Sequence, residues 1–203
     1  MLGAEGVTRG MFMHAVDQLP GRMAILRERY GATLDDLPDV APDSFYPDEI
    51  PALSIEKFPA VAFVNPGTTG ELGNRQTDVD AGYEEYSYKY RVQVYVWAMA
   101  DTGPATSLAV KRTALAVREM YLADKILPVG PDHSAEIDPR SIVESYSALE
   151  QPADSQYIGA AFVQFDVVTH ERLDAPAEFG GGPYTLEIAD PVATTSHHPY
   201  FDE

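Results

Sequence analysis

From Tyr86 to Trp97 the chain alternates strictly. The even positions read Tyr86, Tyr88, Tyr90, Val92, Val94 and Val96, and the odd ones begin Ser87, Lys89, Arg91 and Gln93 before turning aromatic at Tyr95 and Trp97. A period of two with β-branched and aromatic residues predicts a long strand with one buried face. The change at Tyr95 and Trp97 predicts that the second face becomes covered towards the strand's end. A second long strand is predicted over Tyr157–His170, with Ala161, Val163, Phe165 and Val167 on one side and Gln164, Asp166 and His170 on the other. Phe162 and Val168 blur that alternation, as partial cover on both faces would. Pro59–Asn65 reads as a short buried strand ending at the turn signal Asn65-Pro66-Gly67. The Gly-, Thr- and Asp-rich stretch to Gly82 reads as a loop between paired strands, and Ser141–Tyr146 as a further short strand.

Helical periodicity takes over elsewhere. Asp101-Thr102-Gly103-Pro104 leads into a helix over Ala105–Ala123. At about 100° per residue, Ala109, Val110, Ala114, Ala116, Val117, Met120 and Tyr121 form one apolar arc. Leu108, Leu115 and Leu122 recur every seven residues on the opposite side, among Lys111, Arg112, Arg118 and Glu119. Near the N-terminus Thr8 reads as an N-cap for a run carrying Phe12, Met13, Val16 and Leu19. Pro20 interrupts or re-initiates that run, and Met23, Ile25, Leu26 and Tyr30 continue it to Gly31, so two short helices or one kinked helix are expected.

Two segments differ from the rest. Residues 32–56 hold seven acids and no Lys or Arg, with Pro38, Pro42, Pro47 and Pro51, and read as an extended acidic loop pinned by Phe45, Tyr46 and Ile50. Residues 173–203 hold six acids and again no Lys or Arg. There Gly180-Gly181-Gly182 precedes Tyr184-Thr185-Leu186-Glu187-Ile188, a candidate strand. The predicted fold is α+β, with helices packed on one face of a mainly antiparallel sheet, an extended acidic loop and a C-terminal tail. One domain is expected over 1–172, with an acidic extension over 173–203.

Charge narrows the function classes. Fourteen Lys+Arg against 32 Asp+Glu give the 203-residue chain a formal charge of −18. That field repels phosphate backbones and anionic membrane surfaces, so neither is an expected partner. With no cysteine, disulfides, thiolate nucleophiles and Cys-ligated metals are excluded. The first residues have no basic n-region followed by a continuous apolar stretch, so no signal peptide is expected. No window reaches the length of an apolar membrane span.

Candidate chemistry is sparse. Gly67-Thr68-Thr69-Gly70-Glu71-Leu72-Gly73 is glycine-rich but has neither the Gly-Lys-Ser/Thr of a P-loop nor Rossmann spacing. Asp78-Val79-Asp80-Ala81-Gly82 begins like a calcium loop, yet Glu84 and Glu85 arrive too early to complete one. His197-His198 are adjacent, and His14, His133 and His170 are scattered. No nucleophile elbow and no His-Glu-x-x-His helix occurs. No enzyme, cofactor or metal is expected.

The leucine stripe stands apart. Leu108, Leu115 and Leu122 form a second apolar face, flanked by the cations Lys111, Arg112 and Arg118, on a net-acidic protein. Within one subunit the 32–56 loop or the N-terminal helix would fold over it. Between subunits it would form a contact in which those cations meet a neighbour's acidic loop.

The long Tyr/Val strand 86–97, the helix Leu108–Leu122 that follows it, and the closing strand Ala160–Arg172 resemble, in order and texture, the tail terminator proteins of long-tailed bacteriophages and related minor structural proteins of the head–tail junction. The resemblance covers residues 8–172. It implies an α+β subunit of a hexameric ring that sits on the last ring of the tail tube, stops tube growth and docks to the head connector. The expected partners are further copies of itself, the tail tube protein and the head–tail connector protein, and the expected location is the virion, after assembly in the host cytoplasm. DNA would pass through the channel unbound, and an acidic wall suits that passage. The expected subunit interface comprises Leu108, Lys111, Arg112, Leu115, Arg118 and Leu122, with Tyr184, Leu186 and Ile188 reaching a neighbour's exposed sheet edge. A neighbouring connector or stopper is the alternative within that class, and an acidic module that occupies a basic partner's site is the alternative outside it.

Overall fold

The computed structural model describes residues 3–48, 57–69, 76–78, 83–130, 133–150 and 156–174. Helix α1 (Gly3–Tyr30) is followed by a short 3-10 turn (Pro42–Ser44) and strands β1 (Phe45–Tyr46), β2 (Ala60–Thr69), β3 (Gln76–Asp78) and β4 (Tyr83–Ala100). Helix α2 (Gly103–Ala123) and strands β5 (Ile126–Gly130), β6 (His133–Tyr146) and β7 (Tyr157–Asp174) complete the described chain. One curled sheet runs β1-β2-β4-β7-β6-β5, with β3 also paired to β4. Every pairing is antiparallel except β1 with β2. The α+β reading therefore holds.

The two alternating segments form the sheet's centre. β4 and β7 pair without a break from Tyr83↔Asp174 to Ala100↔Tyr157, so their inward residues meet in register: Val92 faces Phe165, Val94 faces Val163 and Val96 faces Ala161. All six are buried. Both helices lie on this face. The expected second cover at the end of β4 is present as well. Trp97 is buried on the other face with Ala60 and Ala62, packed by Tyr46, Phe58, Tyr95 and Ala160.

Helix α1 runs continuously through Pro20, where the sequence reading expects an interruption. Val7, Met11, Ala15, Leu19, Met23 and Leu26 are buried along it on both sides of the proline, and burial of that continuous stripe outweighs the one lost hydrogen bond. Thr8 is not its cap. Its hydroxyl donates back to the Ala4 carbonyl at 2.8 Å, one turn inside the helix. Gly31 does end α1, with φ of 58°.

The short strand expected over Ser141–Tyr146 is the end of a longer one. β6 spans 14 residues, and its pairing with β7 shifts register between Asp138 and Val143, a bulge that interrupts alternation. β2 likewise continues past Asn65-Pro66-Gly67, because the expected turn is a register shift between Val64 and Gly67. Strand β5 has no counterpart in the sequence reading. Of the acidic loop, Leu37, Val40 and Phe45 are buried and Tyr46 packs in the outer cluster. Ile50 lies outside the described residues, as do residues 175–203 of the C-terminal extension.

Candidate functional site

Helix α2 is fixed at its start by Thr102, whose side-chain oxygen accepts from the Ala105 amide at 3.3 Å, a standard N-cap. One turn on, Thr106 is fully buried and its hydroxyl bonds to the carbonyls of Thr102 and Tyr157 at 3.0 and 3.1 Å. The predicted apolar arc of α2 faces β4 and β7, and its deepest member, Tyr121, packs edge-on to Phe165 at 5.1 Å and donates to the Met11 carbonyl at 2.7 Å. These contacts fix the rotation of α2 and decide what its opposite side presents.

That opposite side carries the leucine stripe. Leu108 is 46% exposed. Leu122 is half-buried, and Leu115 is half-buried against the core. The candidate cations divide. Arg118 crosses to β6, where it pairs with Glu144 at 2.7 Å, and Tyr146 Oη donates to the same carboxylate at 2.7 Å. Arg112 lies over the Tyr30 ring at 5.1 Å, a cation–π contact with α1. Lys111 is exposed. On the α1 side, Arg22 and Arg29 both reach Glu119, at 3.7 and 2.6 Å. The hydrogen bond and charge of Glu119 raise the Arg29 pKa further above its already high ordinary value.

The stripe is therefore a ridge between two buttresses, α1 on one side and β6 on the other. The acidic loop flanks Leu108, with Asp35, Asp36 and Pro38 lining a small hollow beside it, but leaves the side chain exposed. The loop instead serves its own chain: Arg27 holds Asp39 at 2.7 Å and the Leu37 carbonyl at 3.0 Å. Thr33 donates to Asp36 through both amide and hydroxyl, holding that carboxyl below its usual range. Apolar side chains that the sequence reading missed extend the ridge. Ile25 is exposed on α1 between Arg22 and Arg29, as are Tyr146 at the end of β6 and Leu149 just beyond it. Tyr146 and Leu149 share a shallow cleft with Ser107, Val110, Lys111 and Gly159. Helical periodicity could not reveal them, because they come from other elements. Tyr184, Leu186 and Ile188 lie outside the described residues.

The outer face of the β4–β7 pair is a cross-strand ladder of Ser87–His170, Arg91–Asp166 and Gln93–Gln164, at 3.0, 2.9 and 3.1 Å, ending in Tyr95 against Phe162. Such pairs stabilise a sheet. A hollow of about 800 Å³ lies between α1 and β2 and is lined by Arg9, Phe12, Met13, Phe63 and Asn65 among others. Among the described residues no three His, Asp or Glu side chains gather as a metal site, and no helix is long and apolar enough to cross a membrane. Comparison with protein-family models and with curated proteins finds no match.

Proposed function

We propose that the protein is a structural subunit of the head–tail junction of a long-tailed bacteriophage, of the tail terminator class. It assembles with copies of itself into a ring, hexameric by resemblance to that class, which caps the tail tube, ends its growth and docks to the head connector. The reading is supported most directly by the α2 ridge. Helix α2 is packed on one side against the sheet, yet keeps Leu108, Lys111 and the flanking Ile25, Tyr146 and Leu149 at the surface. A ridge on one side of a protomer that seats against a different surface of the next is a heterologous contact, and such contacts make a ring when their rotation closes.

The charge fits the same role. A formal −18 per subunit, repeated around a ring, repels the DNA that passes through it, so the channel conducts without retaining. The work is done by assembly, and no group transfer is assigned.

The test is tube capping. Tail tube protein of the same phage is polymerised with and without this protein, and tube lengths are measured by electron microscopy. The proposal expects shorter tubes, each with density at one end. Tubes of unchanged length with bare ends would overturn it.

A further inference from the structure

β6 has a free edge. β5 pairs with it only at residues 133–136, and the last contact on that side is the Ile137 amide to the Lys125 carbonyl at 2.9 Å. The bulge at Asp138–Val143 distorts the next residues, and Asp138 accepts from the Arg140 amide at 2.9 Å. Beyond it, Ile142–Tyr146 has β7 on one side and, among the described residues, no strand on the other. The direction of its backbone groups follows from two neighbouring contacts. The Ser147 amide donates to the Ala160 carbonyl at 2.9 Å, and Glu150 and Ile158 exchange both their backbone bonds at 2.9 and 2.8 Å. Antiparallel pairs alternate, so Val143 and Ser145 turn their N–H and C=O groups towards β7, whereas Ile142, Glu144 and Tyr146 turn theirs outward. A run of outward donors and acceptors is a template for another strand.

We propose that this edge receives the segment Tyr184–Ile188 of a neighbouring copy, as an added strand that locks adjacent subunits together. The inference rests on the ring reading above and names the contact that closes it.

The sequence of the segment fits the site. It alternates Tyr184, Leu186 and Ile188 with Thr185 and Glu187. With the apolar set turned to the helix side, these three side chains fall beside Leu115 and Leu122 on the flank of α2. That flank adjoins the edge, since Arg118 reaches Glu144 and Lys111 shares a cleft with Tyr146. Charge agrees. The edge is rimmed by exposed Lys111 and by Arg140, whose side chain is 92% exposed, and residues 173–203 have six acids and no Lys or Arg.

Reach favours a neighbour. β7 ends at Asp174, paired with Tyr83, at the far end of the sheet from Ala161 and Val163, which face Tyr146 and Glu144. The nine residues 175–183 span about 30 Å when fully extended. The distance back along β7 to the level of Phe165 is about 30 Å at 3.3 Å per residue, and the tail would still have to pass β5. A chain would reach its own edge only when drawn taut.

Disulfide trapping tests this, because the full chain has no cysteine of its own. On the outer side of the added strand, Val143→Cys or Ser145→Cys is combined with Thr185→Cys or Glu187→Cys, and each double variant is oxidised and run without reductant. The expected result is a covalent ladder between protomers for at least one combination. Deletion of residues 180–203 is expected to raise the concentration at the assembly midpoint by about tenfold or more. Absence of any cross-link, a cross-link confined within single chains, or a deletion that leaves the midpoint unchanged would overturn the added strand. Rings that persist undiminished without the tail leave the ring reading standing and remove only this contact. A ladder without rings removes the ring reading and keeps the contact.

Discussion

The Tyr90 hydroxyl donates a 2.7 Å hydrogen bond to Oε1 of Glu171, and both side chains are buried. The same oxygen accepts from Thr169 Oγ1 at 2.9 Å and from the Gly3 amide at 3.3 Å. One carboxylate thus joins β4, β7 and the start of α1, where the helix dipole favours negative charge. Burial and the neighbouring carboxylate raise the Tyr90 pKa, so the phenol stays a donor throughout the physiological range.

Tyr90→Phe removes one donor from a buried carboxylate and keeps the ring. It should lower stability by about 1.5–3 kcal/mol, the range for hydrogen bonds to charged groups, measured by urea unfolding. A loss below about 0.5 kcal/mol, the scale of ordinary surface changes, would mean that Thr169 and Gly3 suffice.

Gly159 of β7 packs tightly beneath α2 and Leu149. A Cβ there would meet Leu149 Cδ2 at 2.9 Å, Val110 Cγ2 at 3.0 Å and Thr106 Cγ2 at 3.2 Å. Gly159→Ala should cost about 1–3 kcal/mol by overpacking, and thermal unfolding reads the loss. Gly67→Ala, where a Cβ would meet nothing within 4 Å, serves as the neutral control.

His14 carries a pH dependence. Its ring stacks on Tyr121 at 5.6 Å, its Nε2 is buried without a partner, and its Nδ1 lies 4.0 Å from Asp124. Burial lowers its pKa, against the pull of Asp124 and Asp17. In the unfolded chain the imidazole titrates near pH 6.5, at about the ordinary value. The unfolded state therefore binds the proton first, and the stability contributed by neutral His14 is full above about pH 6.5 and is lost as pH falls towards the folded pKa. His14→Phe should flatten the fall in melting temperature between about pH 7 and pH 5. The difference between the two proteins is the quantity to compare, because acid also relieves repulsion in a chain of charge −18. Parallel curves would contradict the assignment.

Leu108 and Leu115 separate assembly from folding. Leu108 is 46% exposed, whereas Leu115 packs against the core. Leu108→Asp should leave the circular dichroism spectrum and melting temperature of the protomer close to wild type and abolish assembly. Leu115→Asp should both prevent assembly and lower the melting temperature. If Leu108→Asp assembles normally, the ridge is not a subunit contact.

The central strands and α2 were legible because each has one buried face of even period, as in Val92-Val94-Val96 against Gln93 and Arg91, and because Thr102 and Pro104 mark a helix start. The change at the end of β4 was legible too, since Trp97 on its outer face is buried with Ala60 and Ala62 of β2, and Tyr95 packs half-buried beside them. Other features depend on distant partners. Pro20 reads locally as a break, and only the burial of Leu19 and Met23 on either side of it holds α1 together. The irregularities in β2 and β6 hide those strands because extra residues, one in β2 and three in β6, shift the alternation. The candidate interface was legible only in part. The leucines sit at helical spacing, but the engagement of Arg118 by Glu144 and of Arg112 by Tyr30 is a tertiary outcome, as is the exposure of Tyr146 and Leu149 beside them.

Ring assembly is measured most directly by the solution mass from light scattering at high protein concentration, with negative-stain images of the same sample. The proposed function predicts annular particles of six times the 22.2 kDa protomer mass. A protein that remains a monomer at every concentration, and forms no annulus when tail tubes are added, would contradict it.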